Sequence, residues 1–252
     1  MLEVSLQGEE LKRVKTLIRF GTIIDTTLTL SLSGRSSVLE AEFFPPIELS
    51  KNKSYILGLV EPLTFNTIPN IDERNNKVYI VGEEHPITIP NGSYEIDDLE
   101  KLLTSRLNDN ITLKLKANNN SLHCSIKCSH QINFEPHHSL ASLLGFMPKI
   151  LDANKFVESD HPVKILRVNA LRVECNLTTG GYLNGERVYT IHEFFPAVPP
   201  GFKIIEIPAQ VIHLPITVKT INHICIHILD QNGNLANFRE DVITVRLHIK
   251  SI

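Results

Sequence analysis

The side chains that could do chemistry collect in a few places. HCSIKCSH offers His123, Cys124, Cys128 and His130 at intervals suited to a metal, and a zinc site would need four such donors around one ion at about 2.0–2.3 Å. IHEFF contains His192-Glu193, half of a zinc-protease helix signature, and His137-His138 stand before a helical stretch. TTGGYLNGER carries Gly180, Gly181 and Gly185, the composition of a loop that wraps a phosphate. Each fails on geometry. If HCSIKCSH is a strand, Cys124 and Cys128 share a face but lie about 13 Å apart at about 3.3 Å per residue, whereas ligands of one zinc lie within about 4 Å of each other. Leu122, Cys124, Ile126 and Cys128 then read as one buried stripe, since free cysteine is among the most buried residue types. Cys175 and Cys225 complete four cysteines that need not pair. No second histidine follows His192 at the protease spacing, and its flanks read as strand, so His192 is expected as a half-exposed strand residue. The three glycines are spaced for two tight turns, with no helix after them to hold a dinucleotide. No serine sits in a Gly-x-Ser-x-Gly elbow. The chain is expected to have no catalytic, cofactor-binding or metal-binding residue, to need no cofactor, and not to be an enzyme.

The elements around these residues are mostly strands. In TIIDTTLTLSLSG, Leu28, Leu30 and Leu32 alternate with Thr27, Thr29 and Ser31; near the end, Ile243, Val245, Leu247 and Ile249 alternate with Thr244, Arg246, His248 and Lys250. A period of two is what a sheet wet on one side requires. EFFPPIELS, SYILGLVEP, KVYIVG, ITLKLKA, KILRVNALRVECNLTT, FKIIEIP, VIHLPITVK and NHICIHILD read likewise, punctuated by Asn232-Gly233, Gly180-Gly181, Asn184-Gly185 and Pro199-Pro200-Gly201. Many short strands between such turns describe an all-β sandwich or jelly roll.

The middle differs. From Glu95 to Leu107 the apolar residues Ile96, Leu99, Leu102, Leu103 and Leu107 recur at helical spacing, with Asp97, Asp98 and Glu100 early and Lys101 and Arg106 late, complementing the helix dipole. Those carboxylates occupy the place an anion would need, and Asn91-Gly92-Ser93 has one glycine, so this strand–turn–helix is expected to fold around its own core. SLASLLGF predicts a second short helix closed by Gly145, with Leu140, Leu143 and Leu144 buried.

The succession FFPPIELSKNKSYILGLVEPLTFNTIPNI, ITIPNGSYEIDDLEKLL, SLASLLGF, YLNGERVYTIHEFFPAVPPGFKIIEIP and ILDQNGNLANFREDVITVRLHIK, spanning about Glu42 to the C-terminus, resembles the penton-like minor capsid proteins of adintoviruses and Polinton/Maverick elements. The resemblance implies a jelly-roll β-sandwich or barrel with an inserted small α+β module. Residues 1–75 would form the first part of the jelly roll, 76–160 the insert and 161–252 the second part. It also implies a structural role at the vertices of an icosahedral DNA virus or integrated virus-like element. The partners would be further copies of the chain in a homopentamer and the major capsid protein. The location would be the virion, and host cytoplasm or nucleus during assembly.

Composition agrees with a globular chain. Of 252 residues, 42% are apolar and 21% charged, and a net charge of −3 spread evenly implies no large basic surface, hence no specific nucleic-acid binding. No apolar run approaches the roughly 20 residues of a membrane span. MLEVSLQGEELKRVKT has acids where a signal peptide needs a basic start, so cytosol or nucleus is expected. EFFPAVPPGF places Phe194, Phe195 and Phe202 around prolines that cannot join a sheet ladder, either as a stiff subunit contact or as a lid on the chain's own core. An alternative use of a β module, binding carbohydrate or a receptor as a fibre or lectin-like head does, would need an aromatic platform, and there are 5 Tyr and no Trp to build one.

Overall fold

Residues 23–24, 26–165 and 167–252 are described by the computed structural model. They divide into two units, one made of the chain up to Asn66 together with Ala170–Ile252, the other of Thr67–Asn169. The chain first lays down β1 (Ile23–Ile24), β2 (Thr27–Gly34), β3 (Val38–Leu49) and β4 (Tyr55–Phe65). In β2 the alternation works as expected: Leu30 and Leu32 are buried while Thr29 and Ser31 are exposed. On β4, Tyr55, Leu57 and Leu59 are buried. Gly58 between them leaves room for the segment before His213, because a Cβ there would stand 2.5 Å from Val211 Cγ1 and 2.9 Å from the Ile212 carbonyl.

The inserted unit follows. It holds β5 (Lys77–Ile80), β6 (Ile87–Thr88), α1 (Ile96–Arg106), β7 (Leu113–Asn118), β8 (His123–Cys128), β9 (Ile132–Asn133), α2 (Ala141–Leu144), β10 (Ile150–Leu151) and β11 (Val157–Glu158). One sheet has the order β10–β9–β5–β6 and another β11–β8–β7. Helix α1 buries Ile96, Leu99 and Leu103, carries Asp97 and Asp98 in its first turn and ends on Arg106. The Asn91-Gly92-Ser93 turn is taken up by the chain itself: Gly92 and Ile71 exchange backbone hydrogen bonds of 3.0 Å, and Ser93 Oγ donates to the Ile68 carbonyl at 2.8 Å. The Asn70 side chain accepts from the Tyr94 amide at 2.9 Å and donates to the Tyr94 and Ile165 carbonyls. These bonds extend the unit to Thr67–Asn169, wider at both ends than residues 76–160. Helix α2 ends on Gly145 at φ 81°, where a Cβ would meet the His161 carbonyl at 2.1 Å, so both the left-handed backbone and the space demand glycine. One expected stripe member is displaced. Leu122 lies in the β7–β8 turn at φ 59° and is 62% exposed, because its amide bonds the Asn118 carbonyl and closes the hairpin before the strand begins.

The chain returns through β12 (Leu171–Cys175), β13 (Gly181–Leu183), β14 (Glu186–Val188), β15 (Thr190–Phe194), β16 (Lys203–Ile205), β17 (His213–Pro215), β18 (Thr220–Asp230) and β19 (Ile243–Ser251). The strand expected over KILRVNALRVECNLTT is only β12. Upstream, Val163 and Ile165 pack against the core of the inserted unit and the Lys164 amide bonds the Leu143 carbonyl. The two expected glycine turns reduce to one: Asn184 (φ 51°) and Gly185 (φ 88°) make the tight turn of the β13–β14 hairpin, while Gly181 is in the strand opposite Val188.

One five-stranded sheet runs β1–β3–β18–β12–β15 and a second β16–β4–β19–β2, with β17 also on β4. Consecutive strands cross repeatedly between them: β2 lies in the second sheet, β3 in the first, β4 in the second, β18 in the first and β19 in the second. This is an all-β, jelly-roll-like sandwich. Its core is made by the inward rows of both sheets, Val173, Ile224 and Ile226 in one and Leu57, Val245, Leu247 and Ile249 in the other. No helix among the described residues is long and apolar enough to cross a membrane.

Candidate assembly surfaces

Chemistry-bearing side chains are held in structural roles. Cys124 and Cys128 are buried in β8, where desolvation raises both thiols, Cys124 to about 12. The four cysteines are free thiols, and no group of three or more His, Cys, Asp and Glu is arranged to hold a metal among the described residues. His192 is a half-buried residue of β15; its Nε2 lies 3.2 Å from Glu206 Oε1, and its ring stacks on Phe194 with centroids 6.0 Å apart. In the inserted unit Asp72 is buried enough to disfavour its charge. Hydrogen bonds from Arg74 and a 2.5 Å contact from Arg167 outweigh that cost and hold its carboxyl at about 2.

The three phenylalanines of EFFPAVPPGF separate. Phe194 ends β15 and is 5% exposed, packed in the chain's own core as the lid reading expects. Phe195 and Phe202 are 67% and 63% exposed. The loop between them is pinned by Asn66, whose Nδ2 donates to the Val198 carbonyl at 2.7 Å, whose carbonyl accepts from the Gly201 amide and whose amide donates to the Phe202 carbonyl. It is therefore a fixed loop displaying one aromatic at each end.

More apolar surface continues from it. β16 is the end strand of its sheet, with Lys203 opposite Phe65 and Ile205 opposite Leu63. Phe65, Ile205, Ile207 and Ile212 are all exposed. Among the described residues β16 has a strand on one side alone, and a sheet edge flanked by exposed apolar side chains invites another chain. Sequence reasoning missed these residues, together with Phe44, which is 98% exposed on β3. The signal for Phe44 was present, because alternation along EAEFF puts it on the same side as Glu40 and Glu42. The signal for Ile205 and Ile207 was not, because nothing in FKIIEIP shows that β16 has a partner on one edge alone.

Among solved structures, the crystal structure of the selenomethionine-labelled mavirus penton protein is similar to this chain with a TM-score of 0.48 and 11% sequence identity, covering 90% of this chain and 99% of that one. No family model matches the sequence, and no curated protein matches it.

Proposed function

We propose that the chain is a structural capsid protein, a minor penton-like component that closes the vertices of an icosahedral DNA virus or an integrated virus-like element. The observation that carries this reading is the exposed apolar border of the sandwich, Phe195, Phe202, Phe65 and Ile205 beside the open edge of β16, on a fold whose core is complete without them. The order of sequence segments that resembles adintovirus and Polinton penton-like proteins supports it. Copies would join head to tail in a closed ring, which at a vertex is a homopentamer, and the ring would meet the major capsid protein of the same element. The protein would reside in the virion after assembly in host cytoplasm or nucleus. The test is light scattering and negative-stain microscopy of the purified chain, alone and with its candidate major capsid protein. Phe195→Asp with Phe202→Asp should abolish rings while leaving the melting temperature unchanged. Rings that survive the pair would overturn the reading.

One observation favours a second reading. Tyr182 and Tyr189 are exposed on and beside the β13–β14 hairpin, with Tyr182 opposite Arg187, and exposed tyrosines are the side chains on which sugars stack. A glycan array read with the chain and with Tyr182→Ala decides it: signal lost in the variant supports carbohydrate recognition, and no signal at all removes it.

A further inference from the structure

The sheet β11–β8–β7 turns one face to the core of the inserted unit through Leu113, Leu115, Cys124 and Ile126. The residues between them form the other face. There Lys114 stands directly opposite Lys127, and Lys116 opposite Ser125, with Glu158 of β11 beside Ser125 as the carboxylate in that register. Like charges placed opposite across two strands repel. Phe156, exposed just before β11, lies beneath Lys116 and Lys127, whose Nζ atoms stand 4.7 Å and 5.6 Å from its ring centroid. The ring holds two ammonium groups in place over an apolar floor. A fourth cation nearby, Lys155, faces Asp152 at 3.8 Å. Three lysines against one glutamate leave this face basic.

The other unit carries a strip of the opposite sign. Along β3, Glu40, Glu42 and Phe44 are exposed while Leu39, Ala41 and Phe43 between them are not. Glu42 stands opposite His223, and Glu40 opposite Cys225, whose Sγ donates to Glu40 Oε1 at 3.5 Å. Beyond this strip β1 pairs only with Glu48 and Leu49, so the edge of β3 from Val38 to Phe44 has no strand beside it among the described residues. Same-face residues of any strand repeat at about 6.6–6.8 Å, so Lys114 and Lys116 are spaced to meet Glu42 and Glu40, with Phe44 available to shield the charges from water.

We propose that the lysine face of the inserted unit receives the β3 strip of a second copy of this chain. The contact is heterologous, lysine face of one copy to glutamate strip of the next, which is the kind that builds rings. It rests on the assembly reading above and adds an electrostatic contact that sets register and association rate.

The full chain is tested by analytical ultracentrifugation at low and high salt. Lys114→Glu with Lys116→Glu, and separately Glu40→Lys with Glu42→Lys, should each weaken self-association by about tenfold or more, with unchanged melting. The two variants should associate when mixed, and a chain carrying all four changes should reassemble. Should a reversal variant fail to fold, Lys114→Ser with Lys116→Ser and Glu40→Gln with Glu42→Gln should still weaken association and flatten its salt dependence, and for these neutral pairs an unchanged association overturns the contact. Assembly insensitive to salt and to both reversals, or no recovery in folded chains on mixing or recombination, overturns the contact. If rings persist in the charge variants but vanish in the Phe195 and Phe202 pair, this inference fails alone. If the natural chain never self-associates, both readings fail. A labelled single-stranded oligonucleotide bound by the natural chain and lost on lysine reversal, with assembly intact, would assign the face to phosphate backbone and overturn the proposal.

Discussion

The inserted unit and the sandwich differ in where their large apolar side chains end up. In the insert, the helix stripe Leu99 and Leu103, the strand rows of β7 and β8 and the Leu140–Leu144 turn close on each other as one buried cluster. Val81, Leu122, Met147, Ile150 and Phe156 are the large apolar residues it leaves exposed. The sandwich has an equally dry interior in Leu247 and Ile249, yet leaves Phe44, Phe195, Phe202, Ile205, Ile207 and Ile212 outside. Isolated exposed apolar residues are ordinary; a group of them around open strand edges is not. The insert turns its helix and strand rows inward, while the sandwich leaves several large apolar side chains outside a core that is already dry.

Thiol reactivity gives the sharpest contrast. Burial pushes Cys124 and Cys175 up to about 12 from 9.0, which cuts their thiolate about a thousandfold at neutral pH. Cys128 is buried and raised as well. Cys225 is raised by burial and then by Glu40, but is only half-buried. Mass spectrometry after alkylation of the native chain should therefore find label at Cys225 first and at the other three only after unfolding. Native labelling of Cys124 would show that the insert's core is open.

Core truncation comes next. Leu99→Ala should cost about 2–5 kcal/mol in chemical denaturation, with the loss confined to the insert. A smaller loss, equal to that of a surface residue, would mean that the helix faces the wrong way.

Asp72 is worth less and depends on pH. Its folded carboxyl titrates near 2 against an ordinary 3.8, so its stabilisation is present above about 4 and is lost as pH falls toward 2. Asp72→Asn should lower stability by at most about 2 kcal/mol at pH 7 and by progressively less in acid. An equal deficit at pH 2 and pH 7 would show that geometry rather than charge makes the site.

The smallest effects are predicted outside. Phe202→Ser and Asp98→Ala should each change stability by less than about 0.5 kcal/mol. If Phe202→Ser destabilises as Leu99→Ala does, Phe202 is core and the contrast between the units collapses.

Much of this was legible in the sequence, wherever a residue's environment is set by neighbours along the chain. Alternation located Leu30, Leu32 and the Ile243–Ile249 row, helical spacing located Leu99 and Leu103, and Gly145 marked the end of α2. Sequence was silent where distant segments decide. Val163 and Ile165 continue a strand pattern but are drawn into the insert's core, and Phe194 differs from Phe195 by strand parity alone. Most of the candidate surface falls in this second class: whether Ile205 is core or border depends on β16 having no strand on its far side among the described residues.

The pairing of β2 with β19 brings Thr27 against Lys250, so the two ends of the described chain are neighbours in one sheet. During synthesis the second sheet cannot close until the C-terminal strand has emerged from the ribosome. The insert, whose hydrophobic core is drawn from Ile71 to Ile165, can fold long before that. Contacts so far apart in sequence are slow to form. A ribosome-bound nascent chain stalled near residue 200 should thus present a folded insert together with β2 and β4 lacking β19 and β3 lacking β18, a state in which the cell must keep those strands from aggregating until β18 and β19 arrive.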